Sequence, residues 1–220
     1  MSDKTVVFDI VGTLFGLEAP RRVLTDAGAP EQALDLWFAE SLRDYFARSH
    51  AGEYVPLRDV LQAELPRTLT SLGIDPAEDL VERAIGAFAS LDAQPGANQA
   101  CAELAEAGWT LLALTNSSEE MTRSLLKRGD IEALFSEVIS CDELRISKPH
   151  RKVYERAKRA SGETWLVAAH SWDIQGAGEA GLKTVWVASK EPEYLSVYPP
   201  PDAAATDLEE AARVLLSRGA

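Results

Sequence analysis

Apolar residues along the 220-residue chain fall into two patterns, and their order predicts the architecture. Short unbroken apolar runs rich in β-branched and aromatic residues read as strands buried on both faces, as in a parallel sheet. Val6-Val7-Phe8 is the first such run; it stops at Asp9, and Gly12 then lets the backbone turn sharply. Further strands are expected at 109–114, within 133–140, at 164–169 and at 183–187. Helices are expected between and after them, at 118–127, 152–160, 176–180 and 207–217. Residues 18–90 carry no strand pattern and read as helices broken at Gly28-Ala29-Pro30, Ala51-Gly52, Pro56, Pro66 and Gly73 to Pro76. Within them Leu34, Trp37, Phe38, Ser41, Leu42 and Tyr45 recur at helical spacing and form one mostly apolar face. Strand–helix alternation with short connections implies an α/β fold, a parallel sheet covered by helices on both faces. One strand followed by a long helical stretch implies an all-helical cap inserted after it: core 1–15 and 92–220, cap 16–91.

Composition narrows this picture modestly. Apolar content of 46% supports a substantial core, and no apolar run approaches the roughly 20 residues needed to span a bilayer. The chain passes from Met-Ser-Asp-Lys straight into its first strand, without a signal-peptide pattern. Cys101 and Cys141 lack both a disulfide framework and metal-ligand spacing, so a cytoplasmic protein with reduced thiols is expected. A net charge of −13 speaks against nucleic-acid and anionic-membrane partners, while leaving room for an anionic small molecule in a local cationic pocket.

Candidate chemistry gathers where the strands end. All carboxyl ends of a parallel sheet meet at one edge, where such sheets bind ligands. Four polar clusters fall there: Asp9 to Thr13, Thr115-Asn116-Ser117-Ser118 opening a helix, Ser147-Lys148-Pro149, and His170-Ser171-Trp172-Asp173. A carboxylate with hydroxyls, an amide, a lysine and a second carboxylate is a set suited to covalent catalysis by aspartate.

The ordered set resembles the haloacid dehalogenase superfamily over essentially the whole chain. The match runs through Phe8-Asp9-x-x-Gly12-Thr13-Leu14-Phe15, Leu114-Thr115-Asn116-Ser117, Lys148-Pro149 with Val153-Tyr154, and Trp172-Asp173-Ile174-x-Gly176-Ala177. The resemblance implies a Rossmann-like core with the helical cap after its first strand. Phosphatases of that superfamily carry a second aspartate two places after the nucleophile, where this chain has Val11. Their acidic pair near the fourth motif is reduced here to Asp173, with Ala168 five residues before it. Mg²⁺ wants several oxygen ligands, and this set offers few.

The branch that remains resembles type II 2-haloacid dehalogenases, which need no metal or other cofactor. Carried over, that resemblance makes Asp9 the nucleophile and pairs Lys148 with it. Thr13 and Thr115 supply hydroxyls, Asn116 an amide and Tyr154 a phenol. Asp173 orients Lys148 or the hydrolytic water, and Val11, Leu42, Leu57 and Trp172 line the pocket. The substrate is then a small organic acid, whose halide Asp9 displaces through an ester that water hydrolyses; a homodimer is compatible with the resemblance. His170 is read either as a histidine satisfied by backbone or Asp173, or as a partner of Asp9 or the hydrolytic water. The family's cap arginine after Leu-Trp is Phe38 here, with Arg21, Arg22, Arg43 and Arg48 as candidate substitutes. Two alternatives are weighed against this reading: a Mg²⁺-dependent phosphatase-like hydrolase of the same superfamily, and a binding module without turnover.

Overall fold

The computed structural model describes residues 4–218. Six strands form one sheet: β1 (Lys4–Asp9), β2 (Thr110–Thr115), β3 (Phe135–Ser140), β4 (Glu163–Ala168), β5 (Lys183–Val187) and β6 (Ala203–Ala205). Their order is β3-β2-β1-β4-β5-β6, and every neighbouring pair is parallel. The chain starts in the middle, builds outward through β2 and β3, then returns to the other side of β1 to lay down β4. That reversal opens a crevice between the carboxyl ends of β1 and β4, where ligands bind in open α/β sheets.

Both faces of the sheet are covered, which explains why its strands read as continuous apolar runs. Val6 and Phe8 point into one core with α5 (Ala97–Glu106) and α10 (Leu208–Arg218). Val7 alternates to the opposite core with Val153 and Tyr154 of α8 (Arg151–Ala157) and Ile174 and Ala177 of α9 (Ser171–Glu179). The remaining core helices are α6 (Glu119–Arg128) and the short α7 (Cys141–Leu144).

Between β1 and β2 the chain forms α1 (Glu18–Asp26), α2 (Ala33–His50), α3 (Leu57–Ser71) and α4 (Glu78–Gly86) before reaching α5. The α2 face expected from spacing is the buried one, with Ala33 added to it. Trp37 from that face is fully buried; its indole N–H donates to the Leu61 carbonyl of α3 at 2.9 Å, and its ring meets Phe88 edge-on. Among the described residues no helix is long and apolar enough to cross a membrane.

Two expectations for local structure are corrected, and one strand was not foreseen. Pro66 does not break a helix: α3 runs through it, with Leu65 and Leu69 fully buried on either side. Their burial outweighs the backbone hydrogen bond that a proline forfeits. The helix expected at 176–180 begins at Ser171, because tertiary packing tolerates Gly176 and Gly178, two residues that weaken the helical signal. β6 went unseen because three alanines carry little strand preference. It is tied to its neighbour by Asp202, which accepts from Lys183 Nζ at 2.9 Å and from the Thr184 N–H at 3.0 Å.

Candidate active site

Each of the four strand-end clusters reaches the crevice by its own local device. After Asp9 the chain folds into a tight loop: the Gly12 N–H donates to Phe15 O at 2.8 Å and the Phe15 N–H to Ile10 O at 2.9 Å. Gly12 adopts φ +91°, and a side chain there would drive a Cβ to 2.7 Å from His170 Cε1. Only glycine satisfies both demands. Thr13 then turns back, its hydroxyl donating to Asp9 Oδ2 at 2.6 Å while accepting from the Ala169 N–H at 3.0 Å. One hydroxyl therefore ties the loop after β1 to the end of β4.

The second cluster organises itself around helix capping. Thr115 Oγ1 accepts from the Ser117 N–H at 3.0 Å, and Ser118 caps α6 by accepting from the Met121 N–H at 3.2 Å. Asn116 Oδ1 accepts from the Lys148 backbone N–H at 3.0 Å, so the second cluster holds the loop carrying the third. The Lys148-Pro149 peptide is cis.

Lys148 is the centre of the arrangement. Its side chain is fully buried, and Nζ donates to Asp9 Oδ1 at 2.7 Å and to Asp173 Oδ2 at 2.8 Å. Burial alone would lower the pKa of this ammonium, but the fields of Asp173 and Asp9 outweigh it and hold the pKa above the ordinary lysine value. Asp173 is also fully buried, and burial raises its pKa against the pull of Lys148. Its second oxygen, Oδ1, accepts from the Tyr154 hydroxyl at 2.6 Å, and burial beside Asp173 keeps that phenol protonated well past its usual range. Gly176 makes the contact geometrically possible. A Cβ there would lie 2.5 Å from Tyr154 Cε2 and 2.7 Å from its hydroxyl.

Above this network lies a small cavity of ≈ 20 Å³, lined by Asp9, Val11, Phe38, Leu42, Leu57, Thr115, Asn116, Ser117, His170 and Trp172. It has room for about one water molecule. Val11, Leu42, Leu57, His170 and Trp172 stand where the sequence reading expected pocket walls, joined by Asp9, Thr115 and Asn116. Thr13, Lys148 and Asp173 contribute from behind Asp9 rather than from the wall. Tyr154, expected against substrate, is spent on Asp173 and does not line the cavity. His170 departs from the reading in which backbone or Asp173 satisfies it. Its Nδ1 is buried without a hydrogen-bond partner, 3.9 Å from Asp9 Oδ2.

A larger cavity of ≈ 370 Å³ adjoins the first through Val11, Phe38, Leu57 and Ser117, and it includes Arg58. Arg58 was not singled out in the sequence, having no motif around it. The arginines that were singled out are engaged elsewhere, Arg21 with Asp35 and Glu18, Arg22 with Asp92, Arg43 with Asp44 and Arg48 with Glu53. None of them lines either cavity. Also missed was a hydrogen-bonded chain from cap to core. Tyr45 meets Tyr54 at 3.0 Å, and the Tyr54 hydroxyl donates to Asp142 Oδ1 at 2.5 Å. Tyr54 and Asp142 are distant in sequence, and no local pattern links them.

The donor set does not suit Mg²⁺. The gap between the Asp9 and Asp173 carboxylates is filled by the Lys148 ammonium, and position 11 offers a valine in place of an oxygen ligand. Among the described residues no three His, Cys, Asp or Glu side chains converge as a metal site would require. What the arrangement can do is present one ionisable oxygen-centred nucleophile, oriented from behind by a lysine and a threonine, to an otherwise mostly apolar chamber.

Residues 4–181 match the family model of the haloacid dehalogenase-like hydrolases. The (S)-2-haloacid dehalogenase 1 of Pseudomonas sp. (strain CBS-3) is 32% identical over 201 residues, covering 87% of this chain and 88% of that protein. The structure of L-2-haloacid dehalogenase from Xanthobacter autotrophicus matches with a TM-score of 0.87 at 26% identity, covering 96% of this chain and 98% of that one. The structure of that enzyme with chloropropionic acid covalently bound matches with a TM-score of 0.83, also at 26% identity and with the same coverage.

Proposed function

The chain belongs to the haloacid dehalogenase-like hydrolases and resembles the 2-haloacid dehalogenases among them; from that premise we propose that it hydrolyses the carbon–halogen bond of a small 2-halocarboxylic acid without a metal ion. One observation carries the proposal. Asp9 is the carboxylate that lines the inner cavity, fixed on its far side by Lys148 and Thr13, with the apolar Val11 beside it in the cavity wall.

In the first step a lone pair of an Asp9 carboxylate oxygen attacks C2 of the substrate. The carbon–halogen bond breaks with its electron pair, halide departs, and an aspartyl ester remains. Lys148 and Thr13 hold the carboxylate so that approach to C2 is already oriented. The apolar walls, Val11, Phe38, Leu42, Leu57 and Trp172, strip water from the anionic nucleophile. The substrate carboxylate lies toward the start of α6 beside Asn116 and Ser117, where the positive end of the helix favours an anion. In the second step water adds to the ester carbonyl at Cγ of Asp9. The 2-hydroxy acid leaves, the carboxylate is regenerated, and one proton is released with each halide.

The test is halide release from (S)-2-chloropropionate in the presence of a chelator, with Asp9→Asn as the comparison. Release should persist in chelator and fall by roughly 10³-fold or more in Asp9→Asn. Release abolished by chelator, or p-nitrophenyl phosphate hydrolysis that requires Mg²⁺, would instead support the phosphatase-like alternative.

A further inference from the structure

Ester hydrolysis needs a group that accepts a proton from the attacking water, and Asp173 is poorly placed to be that group. It is fully buried, both its oxygens are committed to Lys148 and Tyr154, and it is absent from the cavity wall. His170 has the opposite attributes. Among the residues lining the inner cavity, Asp9 and His170 are the two that titrate as acid or base. His170 is 8% exposed, and its Nδ1 has no hydrogen-bond partner and lies 3.9 Å from Asp9 Oδ2. That separation is too long for a direct hydrogen bond, which needs roughly 2.7–3.2 Å. An unpaired buried nitrogen is destabilising, and the cavity that it lines has room for one water to bridge it to Asp9.

The ring is also held in position. One edge lies against Gly12, where a Cβ would meet Cε1, and one face stacks on Trp172 with centroids 5.3 Å apart at 27°. Trp172 is held in turn by the edge of Phe46 from cap helix α2, at 5.1 Å. The imidazole is thus braced by both core and cap, with Nδ1 directed at the nucleophile.

Resting on the reaction proposed above, we infer that His170 is a catalytic residue of its second half, the general base for hydrolysis of the Asp9 ester. Neutral Nδ1 takes a proton from water as the water oxygen bonds to Cγ of Asp9. The tetrahedral intermediate collapses with cleavage of the Cγ–O bond to the substrate carbon, and the imidazolium returns the proton to the departing 2-hydroxy oxygen. Asp9 is left as a carboxylic acid, which loses its proton to solvent before the next cycle. Charged groups around the imidazole include Asp9 in front of Nδ1, Lys148 and Asp173 behind Asp9, and Glu191, which accepts from the N–H of the adjacent Ser171 at 3.1 Å. The other neighbours named, Gly12, Trp172, Phe38, Leu42 and Leu57, do not titrate.

The experiment compares wild type with His170→Ala and His170→Gln, following halide release through the first turnover and the protein mass by spectrometry with 2-chloropropionate. Both variants should release one equivalent of halide per site at near the wild-type rate. They should then stall as a covalent ester, with steady-state turnover lower by about 10²-fold or more. Added imidazole should restore hydrolysis in His170→Ala. Glutamine keeps hydrogen-bonding capacity without basicity, so a role limited to holding water would leave His170→Gln active. Turnover of either variant at the wild-type rate, or loss of the first-turnover halide along with turnover, overturns the assignment to His170 alone. Absence of halide from wild type as well overturns the reaction on which it rests.

Discussion

At the scale of single residues, the site is governed by a buried ionic group in which one lysine serves two carboxylates. Lys148 sets one positive charge between the carboxylates of Asp9 and Asp173, and Tyr154 donates to the second of them. The value of such a group lies less in net stability than in the penalty for disturbing it, because an unpaired buried charge is destabilising by several kcal/mol. Gly176 is where that penalty can be tested without removing a charge. Gly176→Ala would place a methyl 2.5 Å from the Tyr154 ring and displace the phenol from Asp173. Alanine gains in helix propensity, yet the variant should lose about 1–3 kcal/mol by urea denaturation, because the clash and the broken hydrogen bond exceed that gain. Turnover should fall with it, while Tyr154→Phe combined with Gly176→Ala should lose less than the sum of the two. The sequence named Asp9, Lys148, Asp173 and Tyr154 through their order along the chain. It could not say that the phenol of Tyr154 faces Asp173 instead of substrate, since that depends on a glycine one helix away.

At the scale of elements, the cap is attached to the core by aromatic packing and by hydrogen bonds, a tyrosine chain among them. Phe46 of α2 meets Trp172 of α9, while Tyr45, Tyr54 and Asp142 link α2 and its following loop to α7. Ser49 adds a fixed point beside the lysine loop, accepting from the Ser147 N–H at 3.0 Å. Burial raises the pKa of both phenols above the ordinary range, so the chain Tyr45–Tyr54–Asp142 remains protonated on its hydroxyls wherever the protein is folded near neutrality. Tyr54→Phe removes the donor to Asp142 and should destabilise the cap by roughly 1–2 kcal/mol. Amide hydrogen exchange in α2 and α3 should quicken several-fold while the strands keep their protection, a pattern that global destabilisation would not produce. Helix periodicity located the buried face of α2 correctly, since Leu34, Trp37, Phe38, Ser41, Leu42 and Tyr45 are all buried. Periodicity is blind to which neighbour covers each position, and so Phe38 and Leu42 turned out to wall the site while Trp37 serves the cap interior.

At the scale of the whole molecule, burial of neutral acids sets a limit on stability in base. Burial raises the Cys101 and Cys141 thiols from 9.0 to about 12, so both stay protonated in the fold while the unfolded chain ionises first. The unfolded state then binds fewer protons, and stability must fall as pH rises. The thiols' contribution to the denaturation free energy should be flat with pH below about 9 and then decline toward about 12, by up to ~1.4 kcal/mol per pH unit for each thiol. The buried tyrosines steepen the decline at the upper end. Cys101→Ala should be less stable at neutral pH, because its thiol packs in the core, but should lose less per pH unit above 9. An unchanged slope in that variant would remove the thiol from the account. By itself the sequence determined the parallel sheet, the inserted helical cap and the residues gathered at the strand ends, because strand order and local periodicity are written along the chain. Only the tertiary structure decided which of those residues face the cavity, which stand behind Asp9, and that Nδ1 of His170 has no partner. Those outcomes depend on contacts between elements far apart in sequence, such as Gly12 with His170 and Gly176 with Tyr154, where fit in three dimensions selects the neighbour.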